Sequence, residues 1–371
     1  MKVMFVIQSM VAGGAERVAA TLINHWVNAG DDLTVTLVTV ASPETDFYEV
    51  DKRVARVALD LSCPTRSWRH FLVKNLRIVR RLRQLMRHIE PDVVLSFLDY
   101  VNLRVLLAAL GTRIPVVVEE HIDPEQSMIG KMVGVLRWLL YRRASAVVVL
   151  TSEITQWARR IVSMNKIHVI PNPISDQFLM ASSRVPGRGH RIVGMGRLEA
   201  QKGFDLLLRA FAHCAKAHPD WTLDIVGEGS ERDRLRALAD DLGIADKLRL
   251  PGIVKHPERL LQQADLFVLS SRYEGFPMAL LEAMTCGLPV VSFDCRTGPR
   301  EMIKNGVNGL LVAPDDVDAL AEAMARLMGS EDERKRLGKQ AVAVANEFSV
   351  ARVAQMWRSV FDQIVSADQY Y

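Results

Sequence analysis

The 371-residue chain has few cysteines and no long apolar run. No stretch of about eighteen or more apolar residues occurs, so the sequence predicts no membrane-spanning helix. Its four cysteines form no CxxC pair and no metal-type spacing, which favours a reduced, cytoplasmic protein. The apolar residues 1–7 lack a signal-peptide cleavage site and are interpreted as a buried first strand.

The sequence also lacks the signatures of dinucleotide and metal sites. The turn after the first strand is not GxGxxG, and no clear acid for a ribose ends the second strand, so an NAD site is poorly supported. Asp316 and Asp318 are formally a DxD pair, but they lie at a predicted helix start, where acids act as caps. No other carboxylate pair resembles a divalent-cation site. The sequence therefore predicts neither a cofactor nor a metal.

Short valine- and isoleucine-rich strands alternate with helical segments along the whole chain. This alternation predicts an α/β protein with two doubly wound, Rossmann-like parallel sheets facing across a cleft. We expect a first domain over residues 1–182, a linker at 183–190, a second domain over 191–349 and a last helix within 350–371 that could pack back on the first domain. The predicted strands are 2–7, 33–40, 93–96, 116–119, 146–150, 191–195, 223–226, 248–250, 266–269, 290–293 and 310–312.

Two carboxylates, Glu274 and Glu282, flank the segment Gly-Phe-Pro-Met-Ala-Leu-Leu. Pro277 is expected at the first helical position, and the glycine two residues before it allows a ligand to approach the backbone. Helix N-termini attract phosphate, so one acid near a diphosphate and a second about 7–8 Å further along the helix would suit a nucleotide sugar. A turn, a capped helix and two surface glutamates would give the same spacing.

Two cations follow the first strand of the second half, Arg197 and Lys202. A guanidinium fork and a flexible ammonium suit a diphosphate, and they would stabilise the charge of a departing nucleotide diphosphate. A solvated basic loop is the alternative interpretation.

Three candidate site residues in the first half of the chain also follow predicted strands. His121 could bond a sugar hydroxyl or orient an acceptor, although a lone histidine is often structural. Gly13 and Gly14 open a helix and could admit a pyrophosphate to backbone N–H groups, or they could form an ordinary tight turn.

The net charge of +4 is concentrated in residues 66–87, which hold eight cations and no acid. Helical spacing there places on one face Leu72, Leu76, Val79, Leu82 and Met86, so the segment predicts a helix whose apolar face docks on the sheet and whose outer face is basic. Those cations could contact anionic lipid or an acceptor pyrophosphate, with residues 131–143 as a second candidate. A nucleic-acid partner is not expected, because no binding module is recognised. The cations proposed for this contact are Arg69, Lys74, Arg77, Arg80 and Arg81.

Seven segments, taken in order, resemble glycosyltransferase family 4, whose members have the two-domain GT-B fold and retain anomeric configuration. The resemblance covers essentially the whole chain. Residues 293–301, F-D-C-R-T-G-P-R-E, resemble a narrower set that extends polyprenyl-diphosphate-linked oligosaccharides with galactose- or N-acetylgalactosamine-type sugars. The seven segments are G-G-A-E (13–16), G-R-L-E-A-Q-K-G (196–203), V-G-E-G (226–229), P-G (251–252), S-S-R-Y-E-G-F-P-M-A-L-L-E-A-M (270–284), G-L-P-V-V (287–291) and N-G-V-N-G-L-L-V (305–312).

The resemblance implies a role for each matching residue. Arg197 and Lys202 would bind the diphosphate, Glu282 the ribose hydroxyls and Glu274 the donor sugar, while His121 would lie near the transferred sugar. The remaining donor-binding positions implied are Gly13 and Gly14 at the phosphate, Gly275, Phe276 and Met278 at the sugar, and Gly252, Ile253 and Val254 around the base.

The expected activity is therefore retaining, metal-independent transfer of a hexose or N-acetylhexosamine from a UDP-sugar to a lipid-linked glycan, forming an α-linkage. The expected location is cytoplasmic, on the inner face of the cytoplasmic membrane. A sugar-nucleotide epimerase and a non-catalytic nucleotide-sugar-binding subunit are the alternatives, and GDP in place of UDP stays open.

Overall fold

The computed structural model describes residues 1–30, 32–62, 67–125, 130–181 and 190–368. Its contacts divide the chain into unit 1, Met1–Pro173 with Val350–Tyr371, and unit 2, Ile174–Ser349. Residues 174–181, assigned to the first domain from the sequence, thus group with unit 2. Of the predicted linker only His190 is described, and Cys63, Arg66 and residues 369–371 also lie outside the described residues.

Unit 1 is built on a seven-stranded parallel sheet. Its strands are β1 (Lys2–Ile7), β2 (Thr34–Thr39), β3 (Ala55–Ala58), β4 (Val93–Phe97), β5 (Val116–Glu120), β6 (Ala146–Val149) and β7 (Ile167–Val169). They lie in the order β3-β2-β1-β4-β5-β6-β7. The five predicted strands are confirmed within a residue or so. Strands β3 and β7 were missed because they are short edge strands, mostly half-buried, without an apolar run.

Helices cover both faces of this sheet. They are α1 (Gly14–Asn28), α2 (Trp68–Ile89), α3 (Asp99–Ala109), α4 (Lys131–Tyr141) and α5 (Thr155–Ala158). Alternate strand residues such as Met4 and Val118 share one buried cluster with apolar side chains of α2 to α5. Such near-continuous burial of strand residues on two faces is what a doubly wound sheet requires.

Unit 2 repeats the plan with six parallel strands. They are β8 (Arg191–Met195), β9 (Thr222–Val226), β10 (Leu248–Gly252), β11 (Leu266–Leu269), β12 (Val290–Phe293) and β13 (Leu310–Val312), in the order β10-β9-β8-β11-β12-β13. All six were predicted. The helices are α6 (Asp176–Met180), α7 (Phe204–Ala215), α8 (Arg232–Asp241), α9 (Pro257–Gln262), α10 (Met278–Thr285), α11 (Pro299–Met302), α12 (Val317–Gly329), α13 (Glu331–Ala341) and α14 (Val344–Glu347).

The last helix, α15 (Val350–Asp368), belongs to unit 1, where it packs against α1. Its Trp357 and Phe361 are almost fully buried. The Phe361 ring centroid lies 5.9 Å from that of Trp26, and the Trp357 centroid lies 6.1 Å from that of Phe97 at the end of β4. Unit 1 is therefore completed by the far end of the chain.

Candidate active site

The loop after β8 brings Lys202 to the carboxyl edge of the unit 2 sheet. It ends in the 3₁₀ turn Ala200–Lys202, and Gly203 then adopts the left-handed conformation with φ of 60°. A Cβ at residue 203 would lie 2.0 Å from the carbonyl oxygen of Ser270, so glycine is needed for the close approach of the two loops. The hydroxyl of Ser270 donates to the carbonyl of Lys202 at 3.0 Å. The loops after β8 and β11, where the strand order reverses, are thus joined.

Lys202 and Glu274, both predicted for the donor site, are in direct contact. The Nζ of Lys202 lies 2.6 Å from Oε1 of Glu274, and the same oxygen accepts from the hydroxyl of Ser271 at 2.6 Å. The side chains of Lys202 and Glu274 are 17% and 6% exposed, so water screens this pair only partly. An ammonium held beside a carboxylate acceptor offers one partner for phosphate oxygens and another for sugar hydroxyls.

A second ion pair, which the sequence analysis missed, fixes this loop. Arg272 donates to both carboxylate oxygens of Asp205 at 2.9 and 2.8 Å and to the carbonyl of Ala200 at 2.6 Å. Burial is the largest influence on the pKa of Asp205 and raises it, but the hydrogen bonds and charge of Arg272, together with backbone hydrogen bonds, outweigh burial and leave that pKa lowered. Arg272 lies within the S-S-R-Y-E-G segment, and its position two residues before Glu274 was the available signal.

The turn before α10 holds the backbone of the E-G-F-P segment. Pro277 is the N-cap, with φ −76° and ψ 92°, and α10 begins at Met278. The prediction that Pro277 takes the first helical position was wrong by one residue, because its ψ is extended. A Cβ at Gly298 would lie 2.5 Å from Cδ of Pro277, and the Thr297 hydroxyl donates to the carbonyl of Glu274. The T-G-P segment after β12 therefore supports the turn that carries Gly275 and Phe276.

The other predicted donor residues of this region differ in exposure. Arg197 is exposed, and its Nη2 lies 3.3 Å from Oε1 of Gln201. Glu282, on α10, is 1% exposed. Burial, and then the charge of Glu282, raises the pKa of the Cys286 thiol to about 12. Glu282 is therefore a buried carboxylate close to the thiol of Cys286. Arg197, in contrast, lies at the surface of unit 2.

The segment predicted to frame the base, residues 252–254, lies at the end of β10. Gly252 ends β10 with φ of 82°, and a Cβ there would lie 2.9 Å from Oε1 of Glu228. Glu228 pairs with Arg232 at 2.7 Å, and Arg232 also donates to the carbonyl of Leu250 at 2.7 Å. Ile253 is 51% exposed and Val254 is partly buried. The V-G-E-G and P-G segments thus lie against each other, with an apolar side chain at the surface.

In unit 1, the start of α1 contains an acid that the sequence analysis did not consider. Gly13 is the N-cap and Gly14 the first helical residue, as predicted. A Cβ at Gly13 would lie 2.1 Å from Oε2 of Glu16, so that carboxylate folds across the glycine. Glu16 is 9% exposed and lies 3.5 Å from the hydroxyl of Ser9. A phosphate at Gly14 would therefore share this helix end with a negative charge, which opposes its binding.

His121 lies directly after β5, at the carboxyl edge of the unit 1 sheet. Its Nε2 is 2.9 Å from Oε2 of Glu119, and its ring centroid is 4.4 Å from that of Phe97. The His121 side chain is 5% exposed. The ring is thus fixed on one edge and one side by unit 1.

The predicted basic helix is only half docked. Ile78, Leu82, Leu85 and Met86 of α2 are buried, whereas its first turns expose apolar residues on the face predicted to be core. Helix α4 also exposes a large share of its apolar residues. The exposed apolar side chains are Trp68, Phe71, Leu72, Val73 and Leu76 on α2 and Met132, Val135, Leu136, Trp138 and Leu139 on α4.

Within the described residues, no helix is both long and apolar enough to cross a membrane. The same ranges contain no group of three or more His, Cys, Asp and Glu side chains arranged to hold a metal ion.

Two tandem Rossmann-like units, each built on a parallel sheet, have the architecture of the GT-B fold. Two family profiles match the chain: "Glycosyltransferase Family 4" over residues 12–178 and "Glycosyl transferases group 1" over residues 175–343. Together the two profiles match residues 12–343, so the chain consists of a glycosyltransferase family 4 domain followed by a glycosyl transferases group 1 domain.

Several known proteins are similar in sequence. A Streptomyces coelicolor exopolysaccharide phosphotransferase is 33% identical over 77% of this chain, which spans 30% of that protein. The Campylobacter jejuni GalNAc-α-(1→4)-GalNAc-α-(1→3)-diNAcBac-PP-undecaprenol α-1,4-N-acetyl-D-galactosaminyltransferase is 27% identical over 99% of this chain and 100% of its own length.

Solved structures share the fold at lower identity. Sucrose-phosphate synthase from Thermosynechococcus elongatus has a TM-score of 0.85 at 18% identity, covering 99% of this chain and 100% of that one. The Anabaena protein HepE in complex with UDP-glucose has a TM-score of 0.77 at 20% identity, with 99% and 100% covered. These likenesses confirm the predicted α/β fold.

Proposed function

We propose that this glycosyltransferase moves a hexose or N-acetylhexosamine from a UDP-α-sugar to a polyprenyl-diphosphate-linked glycan, with retention and therefore an α-linkage. The observation that carries the proposal is the contact of Lys202 with Glu274 at the reversal point of the unit 2 sheet. The Campylobacter relative, which acts on an undecaprenyl-diphosphate-linked glycan, supports the acceptor class, and the UDP-glucose complex of HepE supports the donor class.

In this proposal the diphosphate of the UDP-sugar binds to the Lys202 ammonium, in place of one of its present contacts, and to Arg197. Both cations stabilise the negative charge that develops on the leaving diphosphate as the glycosidic bond lengthens. The Glu274 carboxylate accepts hydrogen bonds from hydroxyls of the donor sugar and so keeps that sugar in place. The backbone around Gly275 lets the sugar approach closely.

The acceptor hydroxyl enters on the face that the diphosphate leaves. The departing phosphate oxygen takes the proton of that hydroxyl, so the front-face reaction balances without a separate general base. The cations of the chain neutralise the leaving group, and this scheme requires no metal.

Product analysis tests this function. The protein is incubated with UDP-sugars, with and without an undecaprenyl-diphosphate-linked glycan and with and without EDTA, and the products are identified by mass and by the anomeric proton coupling. We expect a glycolipid one sugar longer, with an α-linkage, only when acceptor is present and equally with EDTA. An epimerised nucleotide sugar without acceptor, a β-linked product or no product would contradict the proposal.

We also propose that unit 1 contacts anionic lipid on the inner face of the cytoplasmic membrane through α2 and α4. Helix α2 carries no acid, and its cations accompany apolar side chains that are 40–68% exposed at Trp68, Phe71, Leu72, Val73 and Leu76. Exposed apolar residues interleaved with arginines suit the boundary between headgroups and acyl chains. The same arginines, Arg77, Arg80 and Arg81 among them, could instead bind the pyrophosphate of the lipid-linked acceptor.

A further inference from the structure

Two adjacent glutamates, Glu119 and Glu120, end β5, and both are almost completely buried, at 1% and 3% exposed. Because side chains alternate along a strand, they point to opposite faces of the sheet. Glu120 accepts a hydrogen bond from the hydroxyl of Tyr141 on α4 and lies 3.8 Å from a guanidinium nitrogen of Arg137. Burial raises the pKa of Glu120 to about 7 despite these partners. Glu120 is thus part of the packing between the sheet and α4.

Glu119 has a different partner, because His121, two residues further along, lies on its side of the sheet. Oε2 of Glu119 is 2.9 Å from Nε2 of His121, and the two side chains are 1% and 5% exposed. Burial raises the pKa of Glu119, and the charge of His121 opposes that rise. A buried carboxylate without a partner destabilises a folded protein, so the charge of Glu119 favours keeping His121 beside it.

The histidine ring is also held from another direction. Phe97, from the neighbouring strand β4, lies with its ring centroid 4.4 Å from that of His121 and its plane tilted by 55°. Phe97 is completely buried, and Trp357 of α15 packs against it at 6.1 Å. Aromatic packing therefore limits the plane of the His121 ring, and the Glu119 carboxylate lies 2.9 Å from one of its two nitrogens, Nε2.

We propose that Glu119 is a positioning residue for sugar transfer, which holds Nε2 of His121 so that Nδ1 is the nitrogen available to a ligand at the carboxyl edge of the unit 1 sheet. A histidine's two nitrogens are distinct, and the partner of one decides what the other can do. Glu119 touches no substrate in this scheme and acts only through His121. The inference rests on the proposed function through the role of His121.

A double-mutant cycle tests this coupling, with turnover measured as UDP release from the UDP-sugar that the enzyme accepts. Glu119→Gln should lower kcat by about 10- to 100-fold in the natural background, the scale for losing a partner that orients a functional histidine. In the His121→Ala background the same change should cost less than about threefold, because its effect is transmitted through the missing ring. The Kd of free UDP should stay within about twofold, since that ligand is assigned to unit 2.

Glu120→Gln is the matched control, because it makes the same chemical change one residue away on the other face of the sheet. Because the charge of Glu120 also acts on His121, the effect of Glu120→Gln should differ between the two backgrounds, but by less than that of Glu119→Gln. Equal effects of Glu119→Gln in both backgrounds would overturn the proposal, and so would a His121→Ala enzyme that keeps its natural turnover.

A spectroscopic measurement separates this inference from the proposed function. In protein labelled with ¹⁵N-histidine, the His121 signals are assigned from the His121→Ala variant. Glu119→Gln should shift the Nε2 resonance of His121, whereas Glu120→Gln should shift it less, because Glu120 is paired with Arg137. An Nε2 resonance unchanged by Glu119→Gln would refute the contact. If no nucleotide sugar is turned over, the proposed function fails, and this spectrum still decides whether Glu119 holds the ring.

Discussion

At the scale of single residues, the sequence predicted a donor-site role for several side chains but not the partners that hold them. Lys202 and Glu274 are far apart in sequence, yet they are in contact at 2.6 Å. The partners that fix them, Ser271, Arg272 and Asp205, were missed because their role depends on the approach of two loops. Motif spacing carries no information about such an approach. It also gave no sign that Glu16 folds over Gly13.

Lys202→Ala should lower kcat by roughly 10²- to 10³-fold, the scale for losing one preorganised donor that stabilises developing charge. Lys216→Ala, which removes an exposed lysine just beyond α7, should leave kcat within about twofold. Steady-state rates of UDP release measure both variants, and thermal unfolding checks that each is folded. A folded Lys202→Ala enzyme with near-normal turnover would refute the role of the ammonium.

At the scale of secondary-structure elements, helix α2 shows what periodicity can and cannot predict. Its apolar spacing correctly predicted a helix, observed as Trp68–Ile89. The same spacing assigned Leu72 and Leu76 to the core, yet they are 47% and 56% exposed. Periodicity gives the direction of a face, whereas burial also requires a neighbouring element along its whole length. The exposed first turns are the basis of the proposed membrane contact.

Substituting Arg77, Arg80 and Arg81 together by Gln should weaken binding to anionic vesicles by more than about 100-fold. Each cation near an anionic surface contributes about 1 kcal/mol, so three contribute about 3 kcal/mol. Flotation with vesicles of phosphatidylglycerol and phosphatidylcholine, and of phosphatidylcholine alone, measures the effect.

The control for this measurement replaces the exposed cations Arg209, Lys216 and Arg236 of unit 2 by Gln, which changes the net charge equally. It should float like the natural protein. Equal recovery of the natural protein with both vesicle types would remove the electrostatic part of the membrane proposal, and would leave the arginines as candidates for the acceptor pyrophosphate.

At the scale of the whole molecule, the two parallel sheets were predictable because buried parallel strands have near-continuous apolar sequences between helices. The division of the chain was harder to predict. Residues 174–181 group with unit 2, since Ile174 pairs with Ser349 and Ala181 accepts from Gln262 at 3.0 Å. These are long-range contacts with no local signature. The packing of Trp357 against Phe97, which joins the last helix to unit 1, is likewise a long-range contact that the local sequence does not indicate.

The most direct test of the central claim is a binding titration of the purified protein with UDP- and GDP-sugars, read by calorimetry. We predict that one or a few UDP-linked hexoses or N-acetylhexosamines bind and that Glu274→Ala weakens this binding while free UDP binds as before. The reason is that Glu274 is proposed to bind the sugar, whereas Arg197 and Lys202 are proposed to bind the diphosphate. Binding of no nucleotide sugar and no free nucleotide, or equal binding of every sugar by the natural protein and the Glu274→Ala variant, would contradict the account.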